Sequence, residues 1–438
     1  MVYTHITELI GNTPLLRLDP AVHALDGVDL YAKLESHNPF GSVKDRVAWA
    51  MIRDDLDRIA ADGQSFIEAS SGNTAKALRV LGALHDIPLR AVTNRIRVAE
   101  VRQLLHLLGT EIVELPGLSE CPDPQAADDV SAVIAQTIGQ APRRWFHPSQ
   151  YTNERNIAAH HDGTGTEIAA DLADAGIRHV DVLIGGLGTT GSTRGTATAL
   201  RAHHPELRTV GVVSDRFDFI PGIRSEREMW DVGLFQPDFY DEIVTVDAAA
   251  AIEATLALIR GYGVLAGPTS GAGYAAALRT LAVAPRPADR PLVAVLIVCD
   301  RLEPYLSYIA KRRPDLFGTT APEPPSPDDT AAAPTLTPAA LADLDRTGRP
   351  TVVDTRGAMA YRVGHVPGAI NLRDDQLDEM LAQGVPFPRS RPVVFVCPVG
   401  ETSLRFAAVA HRAGYEAFSL AGGIVAWRDA GYPLERGA

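Results

Sequence analysis

Hydrophobic and polar positions alternate along the chain in two recurring forms. Short, nearly continuous apolar runs are separated by longer stretches in which apolar residues return every three or four positions. Val180–Gly186, Thr209–Val213 and Leu292–Val298 belong to the first form and predict strands buried on both faces of a parallel sheet. Ala99–Leu108 and Ile252–Arg260 belong to the second and predict helices. The pattern resumes near the C-terminus, where Thr351–Asp354 and Val393–Val396 are short β-branched runs and Ser403–Ala413 has helical spacing. The expected class is therefore α/β, with ligands at the carboxyl ends of the strands.

One stretch breaks the alternation. Residues 318–338 contain six prolines, no aromatic residue and Leu336 as their one large aliphatic, too little apolar surface to offset the cost of ordering. This segment reads as an extended linker. It divides the chain into residues 1–317 and the 100 residues 339–438.

Composition narrows the function. The 438 residues carry 41 Lys+Arg against 54 Asp+Glu, a net charge of −13, which disfavours nucleic acid and anionic membranes as partners. The apolar run Leu292–Val298 is seven residues long, far below the ~20 that span a bilayer. The cysteines Cys121, Cys299 and Cys397 are scattered, giving neither a disulfide framework nor a metal site. A cytoplasmic protein with reduced thiols is expected.

Lysine is scarce: only Lys33, Lys44, Lys76 and Lys311 occur. Lys44 follows the turn Asn38-Pro-Phe-Gly41, with Ser42 placed to cap a helix that begins around the lysine. The positive end of that helix favours a neutral, nucleophilic amine. Ser70-Ser-Gly-Asn-Thr74 and Gly188-Thr-Thr-Gly-Ser192 each follow an apolar run and open a helix. Backbone N–H groups and hydroxyls at helix starts suit phosphate or carboxylate. A phosphorylated cofactor beside a reactive amine is the expectation.

With these loops in view, the first ~315 residues resemble the cysteine synthase family of pyridoxal-phosphate (PLP) enzymes of fold type II. The matching segments run in order: Glu8–Arg17, Ala32–Glu35, Asn38–Arg46, Ser70–Thr74, Gln150–Asn153, Gly165–Ile168, Gly186–Ser192, Gly267–Ala272 and Tyr305–Ser307. The resemblance implies two α/β lobes around PLP and a homodimer. It implies that Lys44 bonds the cofactor as a Schiff base and moves the substrate's α-proton, and that Asn73 contacts the phenolic oxygen. Gly188, Thr189, Thr190, Gly191 and Ser192 would cradle the phosphate. Thr269 stands where the family usually has a serine facing the pyridine nitrogen, a neutral partner that suits β-elimination over transamination. Ser70, Ser71, Thr74 and Gln150 would hold the substrate carboxylate.

The activity so implied is β-replacement on an activated serine, with a sulfur nucleophile added in the second half-reaction. Departures from the family pattern refine it. Ala75 and Lys76 follow Thr74, Leu302 and Pro304 interrupt the late motif, and Ile220–Glu226 carries Arg224 where acetylserine-using members have glycines. Members that use O-phosphoserine and a small sulfur-carrier protein resemble the chain more closely here. Guanidinium matches phosphate geometry, so O-phosphoserine is the expected substrate and Arg224 its ligand.

In the last 100 residues, Cys397-Pro-Val-Gly-Glu-Thr-Ser403 leaves a strand and enters a helix. Loop N–H groups and the helix dipole favour a thiolate at such a place, whereas Cys299 and Cys121 read as inert buried thiols. With Asp354-Thr-Arg356, Gly364–Asn371 and Gly422–Trp427, these residues resemble a rhodanese domain, implying that Cys397 carries sulfur as a persulfide. Thr402 stands in place of the arginine found in thiosulfate-using members. The joint expectation is cysteine formation fed with sulfur by the second part. The alternatives are another nucleophile, such as an amine giving a diaminopropionate, or β-elimination, with the second part a docking or redox module.

Overall fold

The structure, a computed structural model, describes residues 2–93, 96–115, 130–215, 218–225, 229, 232–318, 330, 332–348, 350–383 and 385–437. Cys121 and most of the expected linker lie outside these residues, as does Glu226. The described chain forms two compact units, one ending at Arg312 and the other holding the residues from Arg313 onward.

The first unit has two sheets. The larger has six strands in the order β1-β2-β10-β7-β8-β9: Leu15–Arg17 (β1), Val28–Leu34 (β2), Val182–Gly186 (β7), Arg208–Ser214 (β8), Glu242–Val246 (β9) and Leu292–Val298 (β10). Only β1 is antiparallel to its neighbour. The smaller sheet is wholly parallel, in the order β5-β4-β3-β6: Ser65–Ala69 (β3), Leu89–Thr93 (β4), Glu111–Glu114 (β5) and Trp145–Phe146 (β6).

Every residue of β10 is buried, because helices cover both faces of a parallel sheet. Each aliphatic side chain buried there is worth about 1.5–3 kcal/mol. The helices that carry the site are Lys44–Ile52 (α1), Asn73–Ala83 (α2), Ala99–Leu107 (α3), Thr166–Asp174 (α4), Gly191–Arg201 (α5), Ala248–Tyr262 (α6) and Pro268–Val283 (α7). Helix α6 is capped by the Asp247 carboxylate, which accepts the Ala250 N–H at 2.8 Å, and ends at Gly263 in a left-handed conformation. Helices α6 and α7 touch closely: a Cβ on Gly271 would stand 2.1 Å from Thr255 Oγ1.

The second unit is built on a parallel sheet in the order β11-β15-β14-β12-β13: Thr335–Leu336 (β11), Thr351–Asp354 (β12), Ile370–Asn371 (β13), Val393–Val396 (β14) and Ala417–Leu420 (β15). Helix Glu401–Arg412 (α8) follows the Cys397 loop. Thr335 and Leu336 sit inside the proline-rich stretch read as linker, yet they pair with Ser419 and Leu420. A strand of two residues supplies no periodicity by which to detect it.

Candidate active site

Lys44 is the first residue of α1. The Ser42 hydroxyl accepts the Lys44 N–H at 3.2 Å and donates to Asp45 Oδ1 at 3.0 Å, while Asp45 Oδ2 accepts the Phe40 N–H at 2.6 Å. Val43 takes the N-cap position expected of Ser42; the serine acts from one residue further out. Burial holds the Lys44 amine below the usual lysine range, against the opposing pull of Cys299 and Asp300. The physical setting for a neutral amine is thus desolvation, added to the dipole effect expected from the helix start.

Helix α1 is pinned from behind. The Arg46 guanidinium donates to both oxygens of Glu35 at 2.7 and 2.9 Å, and to both oxygens of Glu167, on α4, at 2.6 Å each. Lys33, fully buried, lies 2.9 Å from Glu167 Oε2 and donates to the Thr13 carbonyl at 2.6 Å. Lys33 is therefore a structural cation, and Lys76 lies on α2 among Asp45, Asp300, Arg301 and Glu303.

At the start of α2, Ser70 Oγ accepts the N–H groups of Gly72 at 3.3 Å and Ala75 at 3.1 Å. Asn73 donates to Asp300 at 2.7 Å and to the Tyr305 hydroxyl at 3.2 Å; Tyr305 donates in turn to Asp300. Burial pushes the Asp300 carboxyl above its ordinary range. Thr74 donates to Gln150 Oε1 at 2.7 Å, and Gln150 Nε2 donates to the Ala69 carbonyl at 2.7 Å. Behind them, the fully buried Glu68 accepts the N–H groups of Ser149 at 2.7 Å and Gln150 at 3.2 Å, with Ser149 held at φ 59°. Ser71 is exposed.

The loop before α5 joins the same network. Asn156 Nδ2 donates to the Gln150 carbonyl at 2.8 Å and to Thr189 Oγ1 at 2.9 Å. Thr190 adopts φ 68°, unfavourable for a β-branched residue, and its hydroxyl donates to the Leu234 carbonyl at 3.1 Å. Gly188 is pressed against Gly222: a Cβ on it would lie 2.7 Å from the Gly222 oxygen. Thr269, near the start of α7, donates its hydroxyl to the Pro221 carbonyl. Arg224 donates its N–H to the Leu187 carbonyl at 2.9 Å, and its guanidinium lies over the Tyr151 ring at 5.0 Å.

The structure thus links Asn73 with Asp300, and Thr74 through Gln150 and Asn156 to Thr189. It sets Thr269 against Pro221 and Gly222, Gly222 against Gly188, and the Arg224 backbone on Leu187. The sequence does not single out Glu68 or Asn156, and it places Arg46 and Glu167 in matching segments without showing that they pair. Glu68 stands two residues before Ser70 and Asn156 six after Gln150, but nothing in the local pattern distinguishes them from other polar residues.

The donors fit a phosphorylated aldehyde. Lys44 offers a desolvated amine, and Gly191 and Ser192 open α5, where first-turn N–H groups have no partner within the helix and face an anion favourably.

In the second unit, Cys397 follows β14 and is buried; Gly400 and Ser403 donate to its sulfur at 3.1 and 3.2 Å. Asp354 and Arg356 pair at 2.6 Å. Burial pushes the other described thiol, Cys299, up to about 12, in keeping with its reading as inert. Among the described residues no helix is long and apolar enough to cross a membrane.

A two-sheet α/β unit with a desolvated lysine at a helix start and helices opening from glycine- and hydroxyl-rich loops defines a class of PLP-binding enzyme. Residues 6–300 match the family model described as pyridoxal-phosphate dependent enzyme, and the chain belongs to that family, whose members bind PLP. Residues 337–430 match the rhodanese-like domain. The chain is 30% identical over 317 residues to O-ureido-L-serine synthase of Streptomyces lavendulae, covering 70% of this chain and 92% of that protein. It is 28% identical over 306 residues to the cysteine synthase of Aquifex aeolicus (strain VF5), covering 69% and 90%. A crystal structure of cysteine synthase from Entamoeba histolytica superposes with a TM-score of 0.60 at 26% identity, covering 70% of this chain and 90% of that one.

Proposed function

We propose that the first unit makes L-cysteine by β-replacement on an activated serine, O-phosphoserine in preference to O-acetylserine, with sulfur supplied through a persulfide on Cys397. The observation that carries the reading is the desolvated Lys44 amine at the start of α1, in a unit where α2 and α5 open directly from the Ser70–Gly72 and Gly188–Thr190 loops. PLP, when bound, supplies an electron sink for the carbanion formed at the substrate's α-carbon.

The chain's own residues do the rest. Lys44 Nζ would hold the cofactor's aldehyde carbon, and its neutral amine would take the substrate's α-proton as a base. Asn73 would hold the cofactor at its phenolic oxygen and Thr269 at its pyridine nitrogen. Gly188, Thr189, Thr190, Gly191 and Ser192 hold its phosphate by backbone N–H groups and hydroxyls. Ser70, Ser71, Thr74 and Gln150 hold the substrate carboxylate. Arg224 receives the leaving phosphate as the carbon–oxygen bond breaks; support for this role is its backbone hydrogen bond to Leu187, next to Gly188, and its stacking on Tyr151, next to Gln150. Two equivalents of a thiol release the outer sulfur of the Cys397 persulfide as hydrosulfide, regenerating Cys397 and leaving joined as a disulfide, and the hydrosulfide forms the carbon–sulfur bond; a small sulfur-carrier protein is the alternative donor. The working form in this reading is a cytoplasmic homodimer.

The test compares wild type and Arg224→Ala with O-phosphoserine and O-acetylserine. Loss of phosphoserine turnover with retained acetylserine turnover supports the reading; an unchanged preference refutes the role of Arg224. Cys397→Ser should abolish cysteine formation from persulfide donors and spare it with sulfide. A second reading, a nucleophile other than sulfur, is favoured by the likeness to O-ureido-L-serine synthase. Mass spectrometry of products from a panel of sulfur and nitrogen nucleophiles separates the two.

A further inference from the structure

Two hydroxyls lie in line behind the Cys397 sulfur. Ser403 Oγ is 3.2 Å from Sγ, and Ser419 Oγ, on β15, is 2.8 Å from Ser403 Oγ. The Gly400 carbonyl is 3.3 Å from each hydroxyl. Ser403 and Ser419 are both wholly inaccessible to solvent, and Cys397 is 1% exposed.

A hydroxyl inside a core needs a partner, and each of these two has more than one within reach. Ser403 has one proton and three acceptors in range: the sulfur, the Gly400 carbonyl and Ser419. If Ser419 donates across the shortest of these contacts, Ser403 is left as acceptor on that side and its proton goes forward. Between the carbonyl and a sulfur bearing negative charge, the ionised acceptor is the stronger, and a donor chain polarises its last member.

We infer that Ser419 is a positioning residue for sulfur chemistry at Cys397: it donates to Ser403 and thereby aims the Ser403 proton at Sγ. The inference rests on Cys397 as the sulfur carrier. When an acceptor thiolate takes the outer sulfur of a Cys397 persulfide, a new S–S bond forms on the acceptor, the old S–S bond breaks, and its electron pair stays on Sγ. Charge therefore appears at the atom that Gly400 and Ser403 face.

The experiment measures the rate at which iodoacetamide alkylates Cys397 in the full chain at pH 7, resolved by peptide mass spectrometry. Wild type, Ser419→Ala, Ser403→Ala and the double variant are compared. Loss of one neutral hydrogen-bond donor predicts alkylation slower by about 3- to 10-fold in Ser419→Ala. The double variant should be no slower than Ser403→Ala, because Ser419 acts only through Ser403. A wild-type rate in Ser419→Ala, or a further loss in the double variant, overturns the inference. So does faster alkylation, the sign of a loosened unit. Alkylation needs no sulfur donor, so failure of Cys397 to take up sulfur would defeat its role as carrier and leave this result intact.

Discussion

Replacing Glu167 with alanine tests how firmly α1, and Lys44 with it, is held. Glu167 takes both Arg46 donors at 2.6 Å, Lys33 at 2.9 Å, and the N–H groups of Asn12 and Thr13 at 2.9 and 3.3 Å. Burial pushes its carboxyl up, but the hydrogen bonds and charges of Arg46 and Lys33 overcome this and bring it from 4.5 down to about 2. That difference corresponds to roughly 3 kcal/mol at neutral pH, reduced to about 2 kcal/mol by solvent screening of a side chain that is not wholly enclosed. Removing the carboxylate also strands Lys33, whose side chain has no exposure. Its remaining acidic neighbour within reach is Asp171, half exposed at 3.3 Å. Uncompensated buried charge raises the expected loss to about 3–4 kcal/mol.

The assay is urea unfolding followed by hydrogen-exchange mass spectrometry of the α1 and β2 peptides, which reports this unit separately from the other. Glu167→Gln, which keeps the shape and loses the charge, should lose about half as much. A depressed carboxyl stabilises above its unfolded value and ceases to do so as pH falls through the folded one. Wild type and Glu167→Ala should therefore converge between pH 4.5 and about 2. A loss under about 1 kcal/mol at pH 7, or a difference that persists unchanged to pH 3, would refute the reasoning.

Two further outcomes are expected. A Cβ on Gly191 would stand 2.0 Å from Asn156 Oδ1, so Gly191→Ala should weaken PLP binding at least about tenfold with little change in circular dichroism; an unaltered Kd in a fluorescence titration of the apoprotein counts against the phosphate loop. Burial pushes the Glu68 carboxyl up to about 8 from 4.5, so its contribution is complete below pH 4.5 and lost as pH rises through 8. Glu68→Gln should remove that decline, and calorimetric Tm profiles of equal slope in the two proteins would sink the claim.

Much of the scaffold was legible where burial leaves a one-dimensional trace. Leu292–Val298 coincides with β10, and Ile252–Arg260 lies inside α6. Helix α3 ends one residue before the expectation, and strand β8 extends one residue beyond it at each end. Strands of two or three residues, β1, β6, β11 and β13, left no readable period. The strand order was also invisible, because it depends on pairing between distant segments. Among the candidate site residues, those the sequence singles out are the ones whose own loop marks them: Lys44, Ser70–Thr74, Gly188–Ser192 and Cys397. Those that act by meeting a distant partner are not so marked. Glu68 reaches Ser149, 81 residues on, and Arg46 reaches Glu167, 121 residues on. Ser419 is one polar residue in a short strand until the fold sets it behind Ser403.

The pairing of β2 with β10 has a consequence for synthesis. Val28–Leu34 takes its parallel partner from Leu292–Val298, so β2 leaves the ribosome more than two hundred residues before the strand that completes it. Until then one edge of an apolar strand stands open in the nascent chain, a template for wrong pairing that cells meet with chaperones. The middle of the larger sheet is thus filled last, and the buried charge of Lys33, on that same strand, must wait for Glu167 before it is neutralised.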